Sequence, residues 1–172
     1  KQFCGGESIE ECAPTIDTLG RFQIGTILDY SVAGKVEDDD FDKTTDIIIQ
    51  TIERAAKEKH IPFAVFKITG ISKFTLLEKA SYNKSALTQE EKEELNKVTD
   101  RINKICSCAK QRNVPVFIDA EESWVQDIID QWALDMMLLY NKEKCIVYNT
   151  IQMYRHDRLE FLKDCLKHAK KS

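Results

Sequence analysis

The sequence predicts an α/β protein built from parallel strand-then-helix units, and two observations carry that prediction. Four short runs rich in apolar, β-branched and aromatic residues each end in polar or charged side chains: Gly25–Ser31, Pro62–Gly70, Val114–Ser123 and Cys145–Tyr154. After each run stands a longer segment whose apolar residues recur at helical spacing. Runs of the first kind read as strands buried on both faces, the pattern of a parallel sheet sandwiched by other elements. Strand and helix alternating four times in succession then argue for parallel crossover connections.

Taken in order, the 172 residues suit one domain, 1–172, with a leading helical segment over 1–24 and four strand-helix units over 25–172. Ser8-Ile9-Glu10-Glu11 has capping-box spacing and opens a short helix that Gly20 can close. The first strand runs into Val32-Ala33-Gly34-Lys35 and the acidic Glu37-Asp38-Asp39-Asp40, which lacks the spacing and turn glycine of a calcium loop and reads as a solvated loop. From Phe41 to about Lys59, Ile48, Ile52, Ala55 and Ala56 form a helical stripe. The second strand is interrupted near its C-terminal end by Lys67, and Phe74 to Leu87 reads as a short helix and loop. A second capping box, Thr88-Gln89-Glu90-Glu91, opens a long helix with Leu95, Val98, Ile102, Ile105 and Ala109 along one face. The third strand ends in Asp119, Glu121 and Glu122, and Val125, Ile128, Ile129, Trp132 and Met136 mark the helix returning from it. The fourth strand carries Asn149 and Gln152, and Leu159, Leu162 and Leu166 stripe the last helix.

Composition narrows the function class. A formal net charge of −4 gives no electrostatic footprint for nucleic acid, and no apolar run approaches a membrane span. The six cysteines read as reduced thiols, because the chain is larger than disulfide-dense secreted domains and shows no export signal. Cys106 and Cys108 are two apart on a helix, where side chains diverge by about 200° and cannot share an ion. Cys4, Cys12, Cys145 and Cys165 have no metal-ligand spacing, so no metal site is expected. The chain begins at Lys1 rather than methionine and is expected to be a piece of something longer.

The strand ends hold the chemistry. Asp29, Lys67, Asp119 with Glu121, and Gln152 fall at matching positions, and in parallel α/β folds the C-terminal ends of strands converge on the ligand. A polar side chain within a buried strand costs on the order of a few kcal/mol unless paired, so four in one layer point to a shared ligand. The competing reading is a polar plug of mutual ion pairs, Lys67 with Asp119. The layer suits an anionic or amino-acid-like substrate, with Lys67 as carboxylate partner or Schiff-base amine and Asp119 holding a cation or orienting a base. No glycine-rich fingerprint follows a strand, and His60, His156 and His168 lie in or near helices, so neither a dinucleotide fold, a P-loop nor a serine or cysteine triad is supported. Trp124 and Trp132 read as packing residues.

Several segments together resemble the proline dehydrogenase family, FAD-dependent enzymes that oxidise proline to Δ1-pyrroline-5-carboxylate. Phe3-Cys4-Gly5-Gly6-Glu7-Ser8 resembles the segment ahead of that family's first barrel strand, and Ile27-Leu28-Asp29-Tyr30-Ser31 resembles the strand itself. Phe66-Lys67-Ile68-Thr69-Gly70 is similar to the strand whose lysine pairs with the proline carboxylate. Ile118-Asp119-Ala120-Glu121-Glu122 resembles the active-site aspartate segment, and Asn149-Thr150-Ile151-Gln152-Met153-Tyr154 the strand whose glutamine meets the flavin ring.

The resemblance implies a distorted (βα)8 TIM-type barrel, of which this chain holds about the first four strand-helix units. It implies FAD as cofactor, proline as substrate and a membrane quinone as electron acceptor. It further implies that Lys67 grips the carboxylate, that Asp119 organises the catalytic ion pairs, and that Ala120 and Gln152 contact the cofactor. The family's later motifs are missing from these residues: the strand-five Arg and Lys, the Thr-His or Ser-His for the flavin, and the Arg-Arg pair for the carboxylate. A half barrel also leaves strand edges unpaired, which invites self-association. Two other readings stand beside this one, a lysine Schiff-base aldolase and a non-catalytic α/β assembly module. The expected location is cytoplasmic and peripheral to a bacterial inner membrane, with mitochondria as the alternative.

Overall fold

The computed structural model of the chain describes residues 5–30 and 38–170. Its elements are α1 (Ala13–Arg21), β1 (Ile27–Leu28), α2 (Asp38–Ala55), β2 (Phe63–Phe66), α3 (Phe74–Asn83), α4 (Gln89–Arg112), β3 (Val116–Ile118), α5 (Gln126–Tyr140), β4 (Val147–Asn149) and α6 (Arg158–Ala169). The strands form one parallel sheet in the order β1-β2-β3-β4, with Ile27 opposite Phe63, Ala64 opposite Val116, and Val116 opposite Val147. Sequence order and spatial order coincide, as in successive units of a barrel. Each strand is only two to four residues long, shorter than the apolar runs that contain it.

The strands are not buried on both faces. Burial alternates along them: Ala64, Phe66, Val116, Ile118 and Val147 are enclosed, whereas Phe63, Val65, Phe117 and Tyr148 are half-buried. The enclosed set shares one core with Ile48 and Ile52 of α2, Ile102 and Ile105 of α4, and Ile129 and Ala133 of α5. The helices therefore cover one face and leave the other to an aromatic cluster. Phe63 and Phe117 stack with centroids 4.8 Å apart, and Tyr148 meets them at 5.8 and 5.4 Å. An all-apolar strand does not betray this asymmetry, because the open face is apolar too.

Local chemistry explains the helix boundaries and corrects four of the expected ones. Asp38, Asp39 and Asp40 are not loop residues but the first turn of α2, where carboxylates face the positive end of the helix dipole; Glu37 and residues 32–35 lie outside the described residues. That helix stops at Ala55, short of Lys59. Ser8 does accept from the Glu11 N–H at 3.2 Å, but helical geometry begins only at Ala13, with Pro14 in the first turn. Gly20 lies inside α1 rather than closing it: a Cβ there would come within 2.5 Å of the His60 ring, and the left-handed residue beyond the helix is Gln23 at φ 62°. The Thr88 capping box forms as expected, and Asn113 at φ 55° ends α4. Trp132 is a core residue donating to Thr99 Oγ1 at 3.0 Å, but Trp124 is exposed and packs no core.

Two polar devices hold the layers. Arg101 of α4 is buried, donates to Asp42 at 2.7 Å, to Asp38 Oδ1 at 3.2 Å and to the Ile71 carbonyl at 3.3 Å, and lies over the Phe41 ring. At the β4 margin the Asn141 side chain acts as a short mock strand. Its oxygen accepts from the N–H groups of Ile146 and Val147, both at 2.9 Å, and its amide donates to the Val147 carbonyl at 2.8 Å. This blunts part of an otherwise unpaired edge.

Replacing Arg101 with alanine is expected to cost about 2 kcal/mol in urea unfolding, less than the full penalty of a broken buried pair because Asp38 and Asp42 reach water. Lys97 first, then Arg101, hold the Asp38 carboxyl below its ordinary range. That contribution is present at neutral pH and is lost as pH falls through the depressed value, so Asp38→Asn is expected to flatten the acid limb of the stability profile.

Candidate active site

At the C-terminal margin of the sheet, just beyond the aromatic cluster, three of the expected residues meet. The Lys67 ammonium lies 2.8 Å from Asp29 Oδ2 and 3.1 Å from Asp119 Oδ2. The parallel register brings them together: Phe66 is opposite Ile118, so the residues that follow, Lys67 and Asp119, leave their strands side by side. Their side chains stay about a third exposed, 33 % for Lys67 and 32 % for Asp119. The Lys67–Asp119 pair foreseen as a plug thus exists, but it opens to solvent rather than filling a core. Burial alone would lower the Lys67 pKa; the hydrogen bonds to Asp29 and Asp119 outweigh it, and the group is held protonated above its ordinary value.

Glu121 takes a different place. Its carboxylate turns inward onto Thr69, accepting from the Thr69 N–H at 3.0 Å and from the Thr69 hydroxyl. Burial pushes its pKa up, and the Thr69 hydrogen bonds only partly offset that. Gln152 is buried, with its amide donating to the Glu121 carbonyl at 2.5 Å and its oxygen accepting from Arg155 at 3.3 Å. It lies in the turn after β4 rather than within the strand. Ala120 is half-buried, and its N–H is held by Asp119 Oδ1 at 3.0 Å.

Behind these residues runs a polar network that the sequence reading missed. The Glu121 N–H donates to Gln126 Oε1 at 2.8 Å, and Gln126 donates to Asp130 Oδ1 at 2.9 Å. Asn149 donates to the same oxygen at 2.9 Å, and Arg158 of α6 pairs with Asp130 Oδ2 at 2.5 Å, both side chains being almost wholly buried. The available signal was faint: Gln126 and Asp130 are four apart beside the apolar stripe of α5, which periodicity alone cannot separate from a solvated face.

A cleft of about 330 Å³ borders the same margin on its β1 side. Gly6, Cys12, Leu28, Asp29, Ile47 and Thr51 contribute to its walls, so Asp29 faces both the cleft and Lys67.

Lys67 with Asp29 and Asp119 offers chemistry suited to a zwitterion carrying a carboxylate and an amine. Lys67 has three N–H donors, two of them engaged, and the trio with Asp29 and Asp119 carries a net charge of −1. For a flavin the fit is partial. The Gln152 oxygen is held by Arg155 of its own loop and its amide by the loop after β3, so a hydrogen bond from that amide to a cofactor requires exchange of its bond to the Glu121 carbonyl.

Because the Lys67 pKa is raised on folding, its pairs stabilise the protein below the unfolded lysine value and lose that effect as pH rises through the folded one. From neutral pH upwards, the stability advantage of the wild type over Lys67→Met, followed by urea unfolding, is expected to shrink as pH rises through the alkaline range.

The family model for proline dehydrogenase matches residues 12–172. Proline dehydrogenase 1, mitochondrial, of Dictyostelium discoideum is 33% identical over 201 residues, covering 95% of this chain and 35% of that protein. The carbapenem antibiotics biosynthesis protein CarD of Pectobacterium carotovorum subsp. carotovorum is 29% identical over 167 residues, covering 97% of this chain and 44% of that protein. The chain thus spans less than half the length of either relative. Among solved structures, proline utilization A from Bdellovibrio bacteriovorus, inactivated by N-propargylglycine, superposes with a TM-score of 0.77 at 17% identity, over 98% of this chain and 18% of that one. That likeness establishes the parallel fold, and the sequence match establishes the lineage: the chain belongs to the proline dehydrogenase family.

Proposed function

We propose that this chain supplies the substrate-side half of a proline-oxidising active site. The observation that carries the reading is the Lys67 ammonium set between Asp29 and Asp119 at an open strand margin, in a chain of this family. In this reading the third Lys67 donor takes the proline carboxylate, and Asp119, with Asp29 behind it, lies against the ring nitrogen. FAD, when bound, would supply the hydride acceptor for the ring carbon next to nitrogen, the nitrogen's proton being released and Δ1-pyrroline-5-carboxylate the product. Ala120 and Gln152 are the residues assigned to the cofactor side, and onward transfer to a quinone at a membrane surface belongs to the same proposal. No helix among the described residues is long and apolar enough to cross a membrane. Several relatives are mitochondrial by name; cytoplasmic or mitochondrial placement of this chain follows its host.

The aldolase reading loses ground for a physical reason. A Schiff-base lysine needs a depressed pKa, and two carboxylates within 3.1 Å act in the opposite direction. Borohydride with a carbonyl substrate is accordingly expected to trap no adduct on Lys67. The assembly reading draws on the outer edges of β1 and β4, which no further strand covers among the described residues, and it predicts self-association without ligand binding.

The deciding experiment is a titration of the 172-residue chain with FAD, followed by flavin fluorescence, with and without tetrahydrofuroic acid as a proline-like carboxylate. Saturable binding that tightens with the analogue is expected. Lys67→Met is expected to abolish the analogue's effect while leaving flavin affinity in place. A chain that binds neither compound yet self-associates would replace this proposal with the assembly reading.

A further inference from the structure

Asp119 and Glu121 are two residues apart and look equivalent in the sequence, yet the structure gives them opposite surroundings. Asp119 meets Lys67 at a solvent-accessible margin. Glu121 is fastened at every polar group it has: its N–H to Gln126, its carbonyl to Gln152 and its carboxylate to Thr69. Both of its carboxylate oxygens are thereby engaged by Thr69.

The place it grips explains why. After β2 the backbone turns at once into a single 3-10 turn, Ile68–Gly70, and Lys67 occupies the capping position of that turn without making a side-chain cap. Lysine carries donors only, so it cannot accept from the exposed N–H groups that a serine or aspartate would satisfy. Glu121 provides the missing acceptor from the loop that follows the neighbouring strand β3. Lys67 is thereby spared a capping role and extends instead towards Asp29 and Asp119.

We infer that Glu121 is a positioning residue: by capping the turn after Lys67 from the loop after β3, it sets the approach of the Lys67 ammonium to Asp119. Gln126 and the buried Asp130–Arg158 pair hold Glu121 in turn, so the placement of Lys67 is anchored as far away as the start of α6. The positional role stands on geometry alone. Its consequence for substrate, that an ill-placed Lys67 grips a carboxylate poorly, rests on the reading of Lys67 given above.

The test uses the whole chain and needs neither flavin nor substrate. Lys67 ionisation is followed by NMR of its side-chain nitrogen, Thr69 amide exchange is compared with that of core amides such as Ile105 and Ile129, and global stability is measured by urea. In Glu121→Ala the Lys67 pKa is expected to fall back towards the ordinary lysine value, and Thr69 exchange to quicken about tenfold beyond any change in the core amides, the loss of one charge-assisted hydrogen bond. Glu121→Gln still presents one acceptor oxygen to Thr69 and is expected to retain most of both properties. Should the alanine variant not fold, Thr69→Val asks the same question by removing the hydroxyl held by the carboxylate, and a smaller shift of the same sign is expected. An unchanged Lys67 titration in a folded variant, or a rise in exchange shared equally by all amides, would overturn the inference. Failure here leaves the flavin titration untouched, and a wild-type chain that binds no flavin leaves the positional role standing.

Discussion

A parallel sheet delivers all its strand ends to one margin, and the charged cluster of this chain depends on that. Strand order equals chain order, and the β2–β3 register sets Phe66 against Ile118. The residues leaving those strands, Lys67 and Asp119, must therefore emerge side by side. With Asp29 arriving from β1, a cation is set between two anions, a trio that resists collapse into the core because all three side chains keep access to water. Charges confined deeper would cost far more to desolvate than their attraction returns.

Around this trio the protein divides labour between exposed and buried polar groups. The exposed layer of Asp29, Lys67 and Asp119 retains hydrogen-bonding capacity for a ligand. The layer behind it, Thr69, Glu121, Gln126, Asp130, Asn149, Gln152 and Arg158, is linked by hydrogen bonds and an ion pair that tie three strand exits and two helices into one unit. A network of this kind loses little entropy when a ligand arrives, since its members are already ordered. It also ties together the exits of β2, β3 and β4, strands of only three or four residues.

The open sheet face shows what kind of object the chain is. Helices cover one side, and Phe63, Phe117 and Tyr148 make a floor of ring contacts on the other. In a closed barrel such a face is interior, and here it stays half-buried beneath the charged trio. The relatives are more than twice as long as this chain, which accords with four strand-helix units of a barrel.

Much of this was legible in the residues themselves. The four strand-helix alternations, the Thr88 capping box and the strand-end positions of Asp29, Lys67 and Asp119 were all readable, because periodicity, capping chemistry and a charge at the end of an apolar run are local properties. What stayed hidden was whatever depends on distant parts of the chain. Glu121 looks like a second Asp119 until Thr69, 52 positions away, claims its carboxylate. Gln152 is a free amide in the sequence and a bound one in the fold, and Asp130 looks like a surface acid until Arg158 buries it. Local spacing determined which residues could reach the strand margin. The sheet register and the helix packing decided which of them face outward with hydrogen bonds to spare and which are used up in holding the others, since only tertiary contacts supply the partners that a buried polar group requires.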